Sequence, residues 1–199
     1  MDWSVLHALN NFMYQHDGVE DPLLFYVNAS EALFIATLAI VFLAARGAAH
    51  AGWRRASVAA VLSAGLGLAV GKVISELVDR ARPFVADPHG VQLFASHAAD
   101  PGFPSDHATA AFAIATAILL RKRGWGIAAL VAATTLSIGR VALGVHYPSD
   151  VIAGAALGAA AALLLWMPPL RDRIDRLADW VGGYWDRLVE RGASNFARS

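Results

Sequence analysis

Long apolar stretches, separated by short polar segments, dominate the pattern of this chain. Five of them come near the length of roughly 17–25 residues that a helix needs to cross a bilayer. They cover residues 22–45, 56–79, 106–120, 125–143 and 150–167. Glycines in the second and last stretches permit close helix contact: Gly65, Gly67, Gly71, Gly154 and Gly158. The pattern predicts an all-α membrane protein with a bundle of about five transmembrane helices.

Both ends of the chain have an amphipathic pattern. Residues 3–15 place apolar side chains at helical spacing on one side, but this segment is too short to cross a membrane. It predicts an N-terminal helix that lies in the interface. Residues 171–199 mix charged side chains with apolar ones at helical spacing, which predicts a C-terminal amphipathic helix. The expected domains are a membrane-embedded domain over 1–170 and an amphipathic cytoplasmic tail over 171–199.

Lysine and arginine are distributed unevenly between the two ends of the predicted bundle. Because cytoplasmic loops collect these residues, the richer side is expected to face the cytoplasm. The richer side has Arg46, Arg54, Arg55, Arg121, Lys122, Arg123, Arg171, Arg173 and Arg176, and the other side has Arg80, Arg82 and Arg140. The ratio of nine to three predicts five spans with the N-terminus outside and the C-terminus inside.

Composition narrows the class of protein further. Hydrophobic residues make up 57% of the chain and charged residues 16%, whereas soluble domains average about 45–50% and about 25%. Sixteen basic residues balance sixteen acidic ones, so the charge gives no reason to expect nucleic acid as a partner. The chain has no cysteine, which excludes disulfides and thiolate chemistry.

Three polar clusters fall on the predicted outer side. The first two are Arg80 with Arg82, and the segment Ser105-Asp106-His107. The third cluster contains Arg140, His146 and Asp150. A loop of about 25 residues, from Arg80 to Pro104, joins the first two clusters, and loops longer than ~12–15 residues are often functional.

The residue types in these clusters suit phosphate chemistry. Ser105 stands where a helix N-cap is expected, and a helix N-terminus binds anions. Arg140, Arg82 and, as an open alternative, Arg80 offer paired donors to phosphate oxygens. His146 and Asp150 are four residues apart, so the carboxylate is expected to fix one imidazole nitrogen while the other faces the substrate as a nucleophile. His107 is then expected to donate a proton to the leaving oxygen.

These motifs resemble those of a known family. Arg82-Pro83, then Pro104-Ser105-Asp106-His107, then Arg140 with His146 and Asp150, resemble the three signature motifs of the type 2 phosphatidic acid phosphatase (PAP2) superfamily. Arg82-Pro83-Phe84-Val85 and the run from His97-Ala98-Ala99-Asp100 to His107 are similar to the bacterial undecaprenyl pyrophosphate phosphatase branch. The resemblance covers about residues 24–166.

The resemblance implies a metal-independent lipid phosphatase, without a cofactor, on the outer face of the bacterial cytoplasmic membrane. Its implied substrate is a polyprenyl diphosphate left by cell-wall polymer synthesis. By carry-over, His146 forms a phosphohistidine, Asp150 orients it and His107 protonates the leaving group. The implied phosphate-binding residues are Arg82, Ser105, Arg140 and Asp106.

Two positions depart from the wider superfamily. A lysine is expected seven residues before the arginine of the first motif, where this chain has Ser75, and Lys72 lies one helical turn earlier. Asp106 stands where many members have glycine, a difference that the undecaprenyl branch shares.

Other polar residues within the predicted spans require a partner or a cavity, because charges in a bilayer are costly. Glu31 and Lys72 are expected at similar depth, so they form either an ion pair between helices or, with Ser75 and Glu76, the lining of a substrate pocket. His89 and His97 of the long loop are interpreted as surface or loop-packing residues.

Alternative functions remain open from the sequence. The lipid could be a glycerolipid phosphate such as phosphatidic acid or phosphatidylglycerophosphate, or the reaction a phosphotransfer to another lipid. A third alternative is a carrier that binds lipid headgroups without turnover. A metal hydrolase that uses the same histidines and aspartates is disfavoured, because the neighbouring arginines repel a cation.

Overall fold

The computed structural model describes residues 1–196, and every regular element in that range is helical. A single 3₁₀ turn, Ala48–His50, joins the second and third helices. The α-helices in chain order are α1 (Asp2–Tyr14), α2 (Asp17–Ala44), α3 (Ala51–Val78), α4 (Pro83–Ala86), α5 (Asp106–Leu119), α6 (Arg123–Ala142), α7 (Pro148–Trp166) and α8 (Pro168–Phe196).

The protein is a multi-span membrane protein. Within the described residues, four helices are long and apolar enough to cross a membrane, namely α2, α3, α6 and α7. The fifth helix of the bundle, α5, has 14 residues, which corresponds to about 21 Å at ~1.5 Å per residue. That length is less than the ~30 Å of a hydrocarbon core. The predicted five-helix bundle is therefore present, with a short helix at its centre.

Helix α5 occupies the centre because α3, α6 and α7 all pack against it. Its buried face consists mainly of alanine, and α7 presents Gly154 and Gly158 to it. A Cβ atom on Gly158 would overlap the carbonyl oxygen of Thr109, and one on Gly154 would lie 2.5 Å from the carbonyl oxygen of Ser105. The predicted close packing at these glycines is confirmed, and it fixes the start of α5 against α7.

The glycines of α3 differ from one another. A Cβ atom on Gly67 would lie 2.9 Å from Cγ2 of Thr109, and one on Gly71 would lie 3.5 Å from Cδ2 of Leu157. Gly67 therefore requires a small residue for its contact with α5, whereas a methyl group at Gly71 would make only an ordinary contact with α7. The prediction was wrong for Gly65, because a methyl group placed there would meet nothing within 4 Å and the residue faces a cavity.

Helix α1 packs against α6 and α7 through the fully buried side chains of Leu6 and Met13. Asn10 fixes its register, because Nδ2 donates to the carbonyl oxygens of Gln92 at 2.8 Å and Ala142 at 2.9 Å. The amide of Gln92 donates back to Oδ1 of Asn10 at 2.9 Å. The N-terminal helix is thus tied to the long loop that precedes α5.

Helix α8 packs against α3 at the opposite end of the bundle. Ile174 and Ala178 are buried against the bundle, and ion pairs with the bundle flank them. The pairs are Arg121–Asp175 at 2.6 Å, Arg55–Asp179 at 2.7 Å and Arg54–Asp186 at 2.7 Å. The predicted amphipathic helix is present over the described part of residues 171–199.

Candidate active site

The three predicted clusters converge at one end of the bundle. The loop after α3, the first turn of α5 and the loop between α6 and α7 bring their side chains together although they are far apart in sequence. The buried members are Arg82 (6% exposed), Ser105 (0%), Arg140 (6%), His146 (2%) and Asp150 (0%). Buried charged groups of this kind require partners, and the partners define the chemistry of the site.

The neighbours of His146 fix its tautomer. Nδ1 lies 3.0 Å from the carbonyl oxygen of Gly102, which can only accept, so Nδ1 holds the hydrogen and donates it. Nε2 lies 3.1 Å from Nη1 of Arg82 and 3.4 Å from Nη2 of Arg140. Guanidinium groups can only donate, so the lone pair of Nε2 faces both arginines.

The environment of His146 keeps the ring neutral. Burial, followed by the positive charges of Arg140 and Arg82, holds the pKa of His146 well below its ordinary value. A neutral imidazole retains the lone pair on Nε2 that a nucleophile needs. The two arginines that lower the pKa also provide the positive field that would attract an anion to this nitrogen.

Asp150 acts on His146 less directly than the sequence suggested. Its Oδ2 lies 3.6 Å from Nδ1 of His146, beyond hydrogen-bond distance. Oδ2 instead accepts from the amide of Tyr147 at 2.8 Å, which holds the turn before α7. The direct acceptor is the carbonyl of Gly102, which cannot be predicted from the sequence because a backbone carbonyl has no signature in the residue pattern.

Arg80 contacts residues next to His146 and not His146 itself. Its Nη1 donates to Oδ1 of Asp150 and to Oγ of Ser149, both at 2.7 Å. Its Nη2 donates to Oδ2 of Asp2 at 3.0 Å, and its guanidinium lies 4.0 Å from the centre of the Tyr147 ring. Asp2 also accepts from the amide of Ser149 at 3.2 Å. These contacts do not support a phosphate-binding role for Arg80.

Ser105 is the N-cap of α5, as the sequence predicts. Its Oγ accepts from the amide of Ala108 at 3.4 Å, and its own amide donates to the carbonyl oxygen of Asp150 at 3.0 Å. The second bond links the start of α5 to the start of α7. In the first turn of α5, His107 is half-buried and Asp106 is exposed.

The possible pocket-lining residues lie at the edge of the site. Nζ of Lys72 is 3.4 Å from Oε1 of Glu76, and both side chains are largely exposed. This pair lies within α3, so Lys72 pairs with Glu76 and not with Glu31, the partner expected under one of the two alternatives. Glu31 is exposed, and Ser75 is half-buried in the last turns of α3. Within residues 1–196, none of these four side chains forms a hydrogen bond with the arginine and histidine cluster.

Two loop residues complete the cluster. Nε2 of His97 lies 2.9 Å from Nη2 of Arg140, so the interpretation of His97 as a surface or loop-packing residue was incomplete, although its ring also contacts Phe84. Asp100 accepts from Nε of Arg82 through both its carbonyl oxygen and Oδ1, each at 3.1 Å. The position of His97 and Asp100 just before the second motif was the feature of the sequence that could have indicated their place in the site.

A cavity of about 910 Å³ adjoins the site between α2, α3 and α5. Asp106, His107 and Glu31 are among its few charged or polar lining residues. Apolar side chains such as Phe34, Leu38 and Phe42 line most of the remainder. The site therefore joins a polar, arginine-rich region to an apolar cavity.

A family model described as the PAP2 superfamily matches residues 56–172, which is more than half of the chain. The chain belongs to the PAP2 superfamily. The PAP2 match contains every residue of the cluster from Arg82 to Asp150, whereas Asp2 and Glu31 lie before it. Membership of this phosphatase family makes the protein a membrane hydrolase of phosphate esters or anhydrides.

A known protein and a solved structure are similar to this chain over most of its length. Undecaprenyl-diphosphatase BcrC of Bacillus subtilis (strain 168) is 28% identical over 191 residues, which is 96% of this chain and 95% of the relative. The crystal structure of Aquifex aeolicus LpxE matches with a TM-score of 0.68 and 19% identity, over 82% of this chain and 93% of that chain.

A second solved structure has the same fold. The first transmembrane PAP2 type phosphatidylglycerolphosphate phosphatase from Bacillus subtilis matches with a TM-score of 0.61 and 20% identity. The match covers 82% of this chain and 83% of that chain. At these identities the two structures establish a shared PAP2 fold and nothing about the substrate.

Proposed function

We propose that this protein hydrolyses a polyprenyl diphosphate, such as undecaprenyl diphosphate, to the monophosphate and inorganic phosphate. The observation that carries the proposal is the neutral imidazole of His146, whose Nε2 faces Arg82 and Arg140 at 3.1 and 3.4 Å. A nucleophilic nitrogen therefore lies within hydrogen-bond distance of two guanidinium groups that can bind an anion. The similarity to an undecaprenyl-diphosphatase over almost the whole chain supports the choice of substrate.

Arg140 is the main phosphate-binding group in this proposal. Its Nε is buried and has no hydrogen-bond partner among the described residues, so a phosphate oxygen would satisfy it. Arg82 has fewer free donors, because Asp100, Val145 and Pro101 accept from its three nitrogens. Ser105 caps α5 and stays a predicted phosphate-binding residue, and the N-terminus of α5 adds positive potential at this end of the bundle. Asp106, exposed in the same turn, stays a predicted phosphate-binding residue.

The chemical steps follow from these positions. Nε2 of His146 attacks the terminal phosphorus, forming a nitrogen–phosphorus bond while the bond to the bridging oxygen breaks and the lipid monophosphate leaves. His107 gives a proton to the departing oxygen. Water then attacks the phosphohistidine, His107 takes back a proton, and the nitrogen–phosphorus bond breaks to release inorganic phosphate. Asp150 supports His146 through the turn that it holds.

The apolar cavity suits the lipid part of the substrate. It begins at Asp106 and His107, beside the cluster, and continues between α2 and α3 as far as Phe42 and Val181. A headgroup bound at Arg140 can therefore direct its tail into this cavity. Glu31 lines the wall of the cavity in this arrangement, while Lys72, Ser75 and Glu76 stand at the polar edge.

The proposed location is the bacterial cytoplasmic membrane, with the active site on its outer face. The basic residues that pair with α8, including Arg54, Arg55 and Arg121, are at the end of the bundle opposite to the site. The positive-inside rule then assigns that end to the cytoplasm. The diphosphate of a cell-wall lipid carrier is expected at the other face.

A glycerolipid phosphate is the second candidate substrate, because the cluster of Arg82, Arg140 and His146 could equally bind the phosphate of that lipid. The test measures phosphate release by the purified protein from undecaprenyl diphosphate, phosphatidic acid and phosphatidylglycerophosphate. We expect the diphosphate to be turned over fastest, and EDTA to have no effect because arginines supply the positive field.

Each alternative has its own result in this assay. A preference for phosphatidic acid or phosphatidylglycerophosphate would assign the protein to the glycerolipid substrates. Loss of activity with EDTA, restored by one divalent ion, would indicate a metal hydrolase. Binding of all three lipids without phosphate release would indicate a carrier. The His146→Ala variant is the control, and it should release no phosphate while the protein stays folded.

A further inference from the structure

We propose that His97 is a positioning residue, which holds the guanidinium of Arg140 in its phosphate-binding orientation and must be neutral to do so. This inference rests on the proposed function, in which Arg140 binds the phosphate. His97 lies in the long loop before α5. The proposed phosphatase mechanism assigns no role to this residue. Its partner in the loop is Asp100, which holds the other arginine of the site.

A closed ring of contacts carries the proposal. Arg140 and Arg82 both meet Nε2 of His146, at 3.4 and 3.1 Å. On the other side, Nη2 of Arg140 donates to Nε2 of His97 at 2.9 Å. Nδ1 of His97 lies 3.7 Å from Oδ1 of Asp100, which accepts from Nε of Arg82 at 3.1 Å. The loop therefore joins the two arginines at the side away from His146.

This ring of contacts compensates for the cost of burying two positive charges close together. Arg82 and Arg140 are both about 94% buried, since each has 6% of its surface exposed, and their like charges repel one another when no anion is present. The carboxylate of Asp100 balances Arg82. Arg140 receives a neutral acceptor instead, because Nδ1 of His97 donates to the carbonyl oxygen of Ala98 at 3.0 Å and leaves Nε2 as an acceptor.

The contact with His97 leaves Nε of Arg140 available to bind phosphate. His97 occupies only Nη2, whereas the buried Nε has no partner among the described residues. A guanidinium held at one end can present its remaining N–H groups to phosphate without losing further side-chain freedom. Without His97, this long side chain would have to be ordered when phosphate binds.

Protonation of His97 would remove this function, because a charged imidazole can only donate. Burial, followed by the charges of Arg82 and Arg140, lowers the pKa of His97 below its ordinary value, so the ring is neutral at pH 7. The groups that face His97 are Arg140 of α6, Arg82 before α4, Asp100 of the loop, His107 of α5 and His146 before α7.

The experiment compares the wild-type protein with His97→Ala, His97→Gln and the control His89→Ala. His89 is an exposed histidine of the same loop. Calorimetry measures binding of inorganic phosphate, and a separate assay measures kcat/KM for undecaprenyl diphosphate. We expect His97→Ala to weaken phosphate binding and lower kcat/KM about tenfold, the effect of losing a hydrogen bond to a charged group. His97→Gln, whose amide oxygen can accept from Arg140, should recover most of the loss.

The pH dependence separates positioning from simple loop packing. As the pH falls below the pKa of His97, wild-type His97 becomes charged but glutamine does not. The ratio of kcat/KM for His97→Gln to that for wild type should therefore rise towards acid pH, because His107 and His146 titrate in both proteins and cancel in the ratio. A ratio that stays flat, with both variants equally impaired, would overturn the proposal in favour of loop packing.

Phosphate binding also separates this proposal from the proposed function. If the wild type turns over the lipid and His97→Ala binds phosphate as well as His89→Ala does, the role of His97 is wrong and the function stands. If the wild type releases no phosphate from any lipid but His97→Ala still binds phosphate more weakly, the function is wrong and the role of His97 stands. Tighter phosphate binding by His97→Ala would mean that His97 competes with phosphate, which also overturns the proposal.

Discussion

Nη1 of Arg80 lies 2.7 Å from Oδ1 of Asp150 and forms an ion pair between the segment after α3 and the first turn of α7. Asp150 is completely buried, whereas about a third of the Arg80 side chain is exposed. The same guanidinium reaches Asp2 of α1, so a helix outside the PAP2 match supports the turn that contains His146. Arg80 therefore contacts Asp150, whose other carboxylate oxygen accepts from the backbone amide of Tyr147 next to His146.

The first prediction concerns this ion pair. Replacement of Arg80 by methionine leaves the buried carboxylate of Asp150 without its counter-ion, which should loosen the turn and misplace His146. We expect kcat for undecaprenyl diphosphate to fall about tenfold or more, with little change in the binding of inorganic phosphate. The control is Arg123→Gln, at an exposed position on the other side of the bundle. Loss of phosphate binding with an unchanged kcat would instead mean that Arg80 contacts the phosphate.

The second prediction concerns His107 as the proton donor. A general acid contributes about 10²–10⁴-fold to a reaction whose leaving group needs a proton. His107→Ala should therefore slow hydrolysis of an alkyl phosphate such as phosphatidic acid by at least ~100-fold. The same variant should slow the hydrolysis of p-nitrophenyl phosphate far less, because that substrate has a much better leaving group. Equal losses with the two substrates would show that His107 has another role.

The third prediction concerns the contact between α5 and α7. In Gly158→Ala the new methyl group would overlap the backbone of Thr109, so the two helices must separate. We expect a loss of stability of about 1–3 kcal/mol, as for other overpacked cores. Gly65→Ala is the matched control, because its methyl group would meet nothing within 4 Å. Thermal unfolding of both variants in the same detergent measures the difference, and equal stabilities would contradict this packing.

The fourth prediction concerns the attachment of α8. Arg54 is buried and donates to both carboxylate oxygens of Asp186, at 2.9 and 2.7 Å. Hydrogen bonding by Arg54 lowers the pKa of Asp186 to about 2. Asp186→Asn should therefore destabilise the protein at pH 7, by about 2 kcal/mol, whereas Asp172→Asn, at an exposed position of the same helix, should not.

The pH dependence of this variant follows from the sign of the shift. A carboxyl with a depressed pKa in the folded state stabilises the protein above its unfolded pKa of ~3.9, and the contribution is lost as the pH falls towards 2. The stability difference between wild type and Asp186→Asn should thus shrink as the pH is lowered from 4 to about 2. A difference that does not change over this range would mean that the charge of Asp186 is not responsible.

The fifth prediction concerns the sidedness of the membrane protein. The chain has no cysteine, so single cysteines can be introduced without further changes. Ser96 of the active-site loop and Arg123 at the start of α6 are both exposed. A membrane-impermeant thiol reagent should label Ser96→Cys in intact cells but not Arg123→Cys, which should react only after lysis. Labelling of position 123 alone would reverse the proposed orientation.

The helical membrane architecture follows from the hydropathy pattern along the chain. The predicted spans 125–143 and 150–167 correspond to α6 and α7. Each helix begins two residues earlier and ends one residue earlier than predicted. Length and hydropathy suffice for this result, because an apolar helix satisfies its own backbone hydrogen bonds in lipid whatever surrounds it. The cap at Ser105 was equally predictable, since its acceptor and donor are three residues apart.

The groups that contact the reactive histidine, by contrast, depend on how distant segments pack together. The acceptor for Nδ1 of His146 is the carbonyl of Gly102, 44 positions away in the chain, and Asp150 is turned towards Arg80 and the amide of Tyr147. His97 came to Arg140 from a loop that shows no periodic pattern. Hydropathy and helix signals depend on neighbours within a few residues, whereas these bonds depend on where separate segments meet. The packing of α5 against α7 fixes that meeting point.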